Sequence, residues 1–339
     1  ISDIEAGKIR VAIVGNSEAP ITPECMDGLT TMGAIASDDN MIRAYGDEEI
    51  DYRRASRPFG NNCGFTIGES SQYFVLMDDS LTLKLGAPCL GSACDVFIDT
   101  DGTKKSITAP GPGNHITMAK AVASAASIIG NDKLKYNSFV LAHGSSTPQN
   151  RVTESQIFDQ VAKAFEIYDW PVVAVKAYLG HSIAPASADQ LTTALGVFKY
   201  GILPGIKTID EVADDVNDER LDISIKDRKC KKDMEVAIIN SKGFGGNNAS
   251  AVILSPSETE KILKQRHDKN ILQDYGNKLK KAIKKSNEYF LQADNGEYTP
   301  IYKFGENMIT EEEVLIDKES ITIKGLKNTI SLPKNNKYK

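Results

Sequence analysis

The chain has 339 residues, of which 41% are hydrophobic and 25% charged, and it carries a net charge of −6. That is enough apolar content for two domains or one large layered one, and the acidic balance excludes a broad nucleic-acid surface. No apolar run reaches membrane-spanning length, the opening "ISDIEAGKIR" lacks the form of a signal peptide, and the five cysteines show no CxxC pair or zinc spacing, so a reducing cytoplasm and no metal site are expected.

The first element, "IRVAIVG", reads as a core strand entered almost at once after an Ile start, so the chain is expected to be a piece of something longer. The Ala-rich stretch 116–130, "ITMAKAVASAASIIG", predicts a helix closing on Gly130. Three apolar runs then share one design: "SFVLA" ends at His143, "PVVAVKAYLG" carries Lys176 and ends at His181, and "EVAIIN" leads into "SKGFGGNNAS". Each is short, rich in Val, Ile and Leu and bounded by turn residues, as buried strands are. Between the second and third, "PASADQLTTALGVFKYG" (185–201) has Pro near its start, Gly past its end and a stripe of Ala188, Leu191, Leu195 and Phe198, which predicts a helix. Alternating strands and helices imply a layered α/β fold. From about residue 256 the composition turns Lys-rich and helical in period, with a stripe of Leu272, Tyr275, Leu279, Ile283 and Phe290. Short β-like runs such as "SITIKGL" and the polar end "PKNNKYK" follow. This reads as a C-terminal appendage with a frayed tail, its Lys run 278–285 a solvated helix face.

In open α/β sheets, functional groups gather beyond the carboxyl ends of strands. Here those ends carry two of the four histidines, a lysine and a Gly-Phe-Gly-Gly turn. Two neutral imidazoles can donate Nε2–H bonds to one oxygen as negative charge develops, and a nearby ammonium disfavours protonating them. Ser145 and Thr147 offer hydroxyls to a polar, linear ligand. Gly243, Gly245 and Gly246 let backbone N–H groups approach closely, and Phe244 between them suits a lid. His115 and His267 show no partner pattern in the sequence, "APGPGNH" lacks a phosphate-loop lysine, and "DTDGTKK" lacks the later ligands of a calcium loop.

Three segments carry a family resemblance. "HGSSTPQNRVTE" resembles the His-Gly-Thr-x-Thr-Pro…Glu segment of β-ketoacyl-acyl-carrier-protein synthases, "VKAYLGHSIAPA" their Lys-x-x-x-Gly-His segment, and "NSKGFGGNNAS" their Asn-Ser-x-Gly-Phe-Gly-Gly-x-Asn-Ala-Ser. All occur in the family's order; "VAIVGNSEAP" and "ASRPFGNNCGFTIGES" also resemble its N-terminal half, and the likeness covers roughly residues 1–255. The resemblance implies the thiolase-like fold, layered α-β-α-β-α. Residues 1–87 would be the remainder of the N-terminal half, 88–255 the complete C-terminal half with the His/Lys/His site, and 256–339 an extension. It further implies that His143 and His181 bind the malonyl thioester and drive its decarboxylation, with Lys176 supporting them. Ser145 and Thr147 would bond the phosphopantetheine arm, which arrives on acyl carrier protein, so no resident cofactor is expected. Phe244 would gate the tunnel, its backbone N–H forming half of an oxyanion hole beside Gly245, and Glu154 and Gln190 would support the histidines. The two-histidine pattern argues against thiolases, which place a second cysteine before their C-terminal glycines, and against type III synthases, which pair His with Asn.

Several positions depart from the pattern. Arg151 stands where the family often has an acid, and Gln190 where a helix glutamate usually supports the second histidine, with Asp189 beside it. "PFGNNCGF" replaces an Asp…Arg-Asp-Gly-Phe run, and Pro185 and Ser187 replace small residues. The family's nucleophilic cysteine, at a helix N-terminus where the dipole favours thiolate, has no counterpart here: Cys25 lacks the strand-to-helix elbow, and Cys63, Cys89, Cys94 and Cys230 lack nucleophile context. That cysteine is expected upstream of Ile1. The expected activity is decarboxylating Claisen condensation in fatty acid or polyketide synthesis, in a homodimer or paired with the segment bearing the nucleophile. The alternative is a non-catalytic partner subunit resembling a chain-length factor.

Overall fold

The computed structural model describes all residues except 47–49, 106–108, 231, 300–304, 307 and 334–339. The principal elements of its larger unit are strands β1 (Val11–Glu18), β2 (Ser70–Met77) and β3 (Ser92–Thr100), helix α1 (Gly113–Ile129), strand β4 (Ser138–Leu141), helix α2 (Pro148–Ala164), strand β5 (Trp170–Val173), helix α3 (Ala186–Tyr200), and strands β6 (Leu221–Asp222), β7 (Val236–Gly243) and β8 (Asn247–Leu254). Six of them form one sheet in the order β3-β8-β7-β4-β5-β6. Its β7, β4, β5 and β6 run parallel, while β8 joins β7 and β3 antiparallel.

The four residues of β4 are all buried, and their side chains alternate between two cores. Val140 faces Met118, Val122, Ile157 and Phe158 of α1 and α2, whereas Phe139 and Leu141 face Ala194 and Val197 of α3. A strand covered on both faces has no polar alternation, which is why the apolar runs were legible as buried strands. Beyond α3 lies the antiparallel pair β1–β2, tied to it by Thr192 Oγ1 donating to Gln72 Oε1 at 2.9 Å. The succession of helices, sheet, helix and second sheet gives four layers of the expected thiolase-like arrangement.

Two expectations need correction. β1 is a strand but not a core strand: Ile13 is 75% exposed, and Tyr73 and Val75 of β2 are exposed beside it. Lys176 is not on a strand. β5 stops at Val173, and Lys176–Leu179 form a single helical turn closed by Gly180, whose φ of +70° carries the chain to His181.

The molecule divides into two compact units, Ile1–Ile283 and Lys284–Lys339. The appendage expected from residue 256 is therefore split. Its first helix, α4 (Pro256–Arg266), starts with Pro at N1 and Ser255 capping Glu258 N, and packs in the larger unit through Leu263 and through Ser92 Oγ donating to Thr259 Oγ1 at 2.8 Å. Helix α5 (Lys269–Asp294) contributes its residues through Ile283 there, with Tyr275 donating to Ala87 O at 3.1 Å. The smaller unit holds a three-stranded antiparallel sheet of Val314–Ile316, Ser320–Ile323 and Ile330–Ser331. The tail after Pro333 lies outside the described residues. Among the described residues no helix is long and apolar enough to cross a membrane, and no group of His, Cys, Asp and Glu could hold a metal.

Trp170 anchors β5: it is fully buried, lies 6.3 Å from the Phe158 ring, and donates from Nε1 to Ser138 Oγ at 2.9 Å. Trp170→Ala is expected to cost about 3–5 kcal/mol, read as a lowered midpoint in urea unfolding.

Candidate active site

The carboxyl ends of β4, β5 and β7 open toward one floor. Past β4 the chain reaches His143 and turns through Gly144 and Ser146, with φ of +51° and +65°. The turn is pinned from outside: Ser146 Oγ accepts from Arg57 N at 2.5 Å, and its carbonyl accepts from Gly64 N at 3.2 Å. Inside, Glu154 of α2 is fully buried and accepts four hydrogen bonds. Its donors are His143 N at 2.6 Å and Gly144 N, Asn150 Nδ2 and Asn240 Nδ2, each at 2.8 Å. A buried carboxylate is tolerated only when its lone pairs are met, and here each oxygen receives two donors. Glu154 thus fixes the backbone on which His143 sits.

His181 is held from the opposite side. Its N–H donates to Thr66 O at 2.7 Å, and its carbonyl accepts from Gly68 N at 3.0 Å. This backbone approach requires glycine at 68, where a Cβ would stand 2.0 Å from Leu179 O. The rings of His143 and His181 meet edge to face, centroids 5.2 Å apart and planes at 78°. Each Nδ1 accepts a main-chain N–H, from Lys242 at 3.3 Å for His143 and from Ile183 at 3.0 Å for His181. A neutral ring whose Nδ1 accepts must carry its proton on Nε2, so both are set as Nε2–H donors.

Electrostatics keep them neutral. Burial first, and the Lys176 ammonium second, push His181 down to about 2. The same two causes, with His181 and Lys242 behind them, hold His143 well below the usual histidine range. Lys176 is itself 3% exposed and donates to His143 O at 2.6 Å. Burial brings its ammonium down to about 8, against the opposing pull of Glu154 and Asp189.

The remaining residues singled out from sequence follow the ends of β4 and β7, with one exception. Ser145 is buried, and its Oγ lies 3.2 Å from Thr147 Oγ1. Phe244 and Gly245 sit in the hairpin turn between β7 and β8. The Phe244 ring is half exposed and 6.4 Å from Phe65, which in turn lies 5.4 Å from His181. Gln190 is the exception. Its hydrogen bonds go not to the second histidine but to the strand ends, its Nε2 lying 3.1, 2.6 and 2.9 Å from the carbonyls of Leu141, Ala142 and Asn240. An amide can donate to backbone oxygens where a carboxylate could not, which accounts for Gln at this position.

Other contributors had not been singled out. Asn240 and Asn114 bond each other and extend the Glu154 network into the core. Lys242 donates to Asn150 Oδ1 and Thr153 Oγ1, both at 3.3 Å. Asp189 is a second buried carboxylate. Asn240 was visible as the Asn before Ser-Lys-Gly-Phe, but nothing local marks it as a partner of Glu154, 86 residues away. Two departures prove to be coupled: Arg151 donates to Asn62 Oδ1 at 3.0 Å, within "PFGNNCGF", and pairs with Asp215 at 2.7 Å. All five cysteines are free. Burial pushes Cys89, Cys94 and Cys230 upward, the reverse of what a nucleophile needs.

Residues 90–210, which hold both histidines and Lys176, match the β-ketoacyl synthase C-terminal domain. The beta-ketoacyl-acyl-carrier-protein synthase FabY of Pseudomonas aeruginosa is 55% identical over 338 residues, covering 100% of this chain and 53% of the relative. The chain belongs to the β-ketoacyl synthase family. The crystal structure of that noncanonical ketosynthase superposes with a TM-score of 0.92, again over 100% of this chain and 53% of the other. The ketoacyl synthase alpha subunit of the tetracenomycin polyketide synthase of Streptomyces glaucescens is 27% identical over 261 residues, 76% of this chain and 56% of that protein. An acyl-carrier protein in complex with its type II polyketide ketosynthase, AntDE:AntF, shares the fold at a TM-score of 0.62 and 21% identity, over 75% of this chain and 58% of that one. The chain spans about half the length of the curated relatives it matches. Its likeness to family members therefore includes the His/Lys/His floor but not their whole length.

Glu154→Ala strips the acceptor from four donors at once. It is expected to lower unfolding stability by about 3 kcal/mol or more, measured by urea titration.

Proposed function

We propose that this chain supplies the decarboxylation and condensation half of a β-ketoacyl synthase site, completed by a nucleophilic cysteine on a segment outside these residues. The observation that carries the reading is the His143–His181 pair, each ring accepting a main-chain N–H at Nδ1 and so presenting Nε2–H. In the proposed reaction, malonyl arrives as a thioester on the phosphopantetheine arm of an acyl carrier protein, with Ser145 and Thr147 bonding the arm. The two Nε2–H groups donate to the thioester oxygen while the C–CO2 bond breaks, and the electron pair left behind spreads onto that oxygen as an enolate. The enolate carbon attacks the acyl thioester on the cysteine, the Phe244 N–H helps hold the oxyanion, and the cysteine thiolate leaves. Lys176 keeps both imidazoles uncharged, so that they donate without being acids.

A tunnel-shaping partner subunit has no use for this charge arrangement, and the enzyme reading is the better supported. The exposed face of β1–β2 fits a site completed by further protein, in a dimer or a paired chain. Free cysteines fit a cytoplasmic setting.

In the full-length protein, His181→Ala is expected to retain acyl transfer to the cysteine while condensation falls about 10²–10³-fold. The two steps are followed separately by mass spectrometry of the acyl-enzyme and by product formation. Condensation at the wild-type rate would refute the role. The pH dependence follows from the same geometry. Both histidines stay neutral well below pH 6.5, so no loss is expected there as pH falls, and condensation should decline as pH rises through about 8, where Lys176 gives up its proton and the charge-assisted bond by which it holds His143 O weakens.

A further inference from the structure

Asp189 is a carboxylate the proposed chemistry does not use, 3% exposed on α3. All of its hydrogen-bond partners are uncharged. Oδ1 accepts from Ser70 Oγ at 2.6 Å and Gln72 Nε2 at 3.2 Å, both on β2, and Oδ2 accepts from Ser182 Oγ at 2.6 Å. Among the described residues, no Lys, Arg or His forms an ion pair with it. Hydrogen bonds donated to a buried carboxylate favour its charged form, and such a charge acts on its surroundings over several ångströms. Two of those surroundings matter: Ser182 directly follows His181, and the negative charge at 189 opposes the downward push of burial on the Lys176 ammonium.

We propose that Asp189 is a positioning residue for condensation: through Ser182 it anchors the segment carrying His181, and its charge sustains the Lys176 ammonium beneath the two histidines. This rests on the condensing reading above. The other charged or titratable groups in the floor are Glu154 from α2, His143 at the end of β4, His181 after the Lys176 turn, and Lys242 at the end of β7. Glu154 acts on Lys176 in the same sense as Asp189 but also secures the backbone of His143 and Gly144. Asp189 touches neither histidine's backbone, so its charge can be removed without releasing the first histidine.

The neighbouring position explains the arrangement. The resemblance places a helix glutamate at 190, where this chain has Gln190 bonded to three carbonyls. Consecutive helix residues point about 100° apart, so an acid at 189 faces β2 and Ser182 instead of those carbonyls. In this chain the carboxylate of α3 and the clamp on the strand ends are divided between two adjacent residues.

The test compares full-length wild type, D189N, D189S and S182A. In D189N and D189S the decline of condensation on the alkaline side should move down by about one pH unit, as expected for loss of one nearby opposite charge. The loss should fall on kcat, with KM for the acyl donor unchanged. S182A keeps the charge and should leave the alkaline limb where it is in wild type. A direct readout needs no turnover: the 13Cε signal of Lys176, assigned by its loss in K176R, should titrate at lower pH in both uncharged variants. Lys176 titrating alike in wild type and D189N overturns the inference. Wild type that fails to condense while Lys176 still shifts in D189N overturns the functional reading and leaves the coupling intact.

Discussion

The site depends on one buried carboxylate. Among the described residues Glu154 has no cation within bonding distance, and it is solvated by four N–H donors from three parts of the chain. Two of those donors are the backbone of His143 and Gly144, so the acid that must be satisfied also dictates where the first histidine leaves the strand. Asn240 then joins β7 to the same oxygens, and two residues later Lys242 N–H meets His143 Nδ1. The orientation of the ring is thus a consequence of hydrogen-bond accounting in the core, where an unmet group is costly.

Around that anchor the charges are arranged for neutrality. Two carboxylates and one ammonium are buried near two imidazoles, and the imidazoles are the groups that stay uncharged. Burial alone would favour that, and Lys176 reinforces it at the second ring as at the first. The ammonium in turn recovers from Glu154 and Asp189 only part of what it loses to burial. Each group is in a state that its neighbours make cheaper than the alternative, the condition under which a buried polar network rigidifies a site.

Much of this was legible in the sequence, for physical reasons. Strands buried on both faces leave uninterrupted apolar runs, and the residues that end them are where polar chemistry can begin, so His143 and His181 stood out. The turn at Lys176 does not: "PVVAVKAYLG" is apolar but for that lysine and Tyr178, and periodicity cannot show that the strand stops at Val173. The apolar residues of β1 suggest a core strand, but composition does not reveal what covers it, and Ile13 lies open. Spacing along a helix gives a direction and not the group that waits there, so the carbonyl partners of Gln190 are not legible in the sequence. Asp189 was seen only as a neighbour, since its partners on β2 are 117 and 119 residues distant.

The residue whose N–H sets the tautomer of His181 is Ile183, and it sits at φ +60°, a left-handed conformation that a β-branched side chain adopts only under constraint. The protein therefore tolerates a locally unfavourable backbone at the one point that aims the second imidazole. Glycine there would be the easier residue for the fold and the looser one for the ring. Selection for thermal robustness alone would be drawn toward that substitution, and the fixed aim of the His181 ring would be what it eroded.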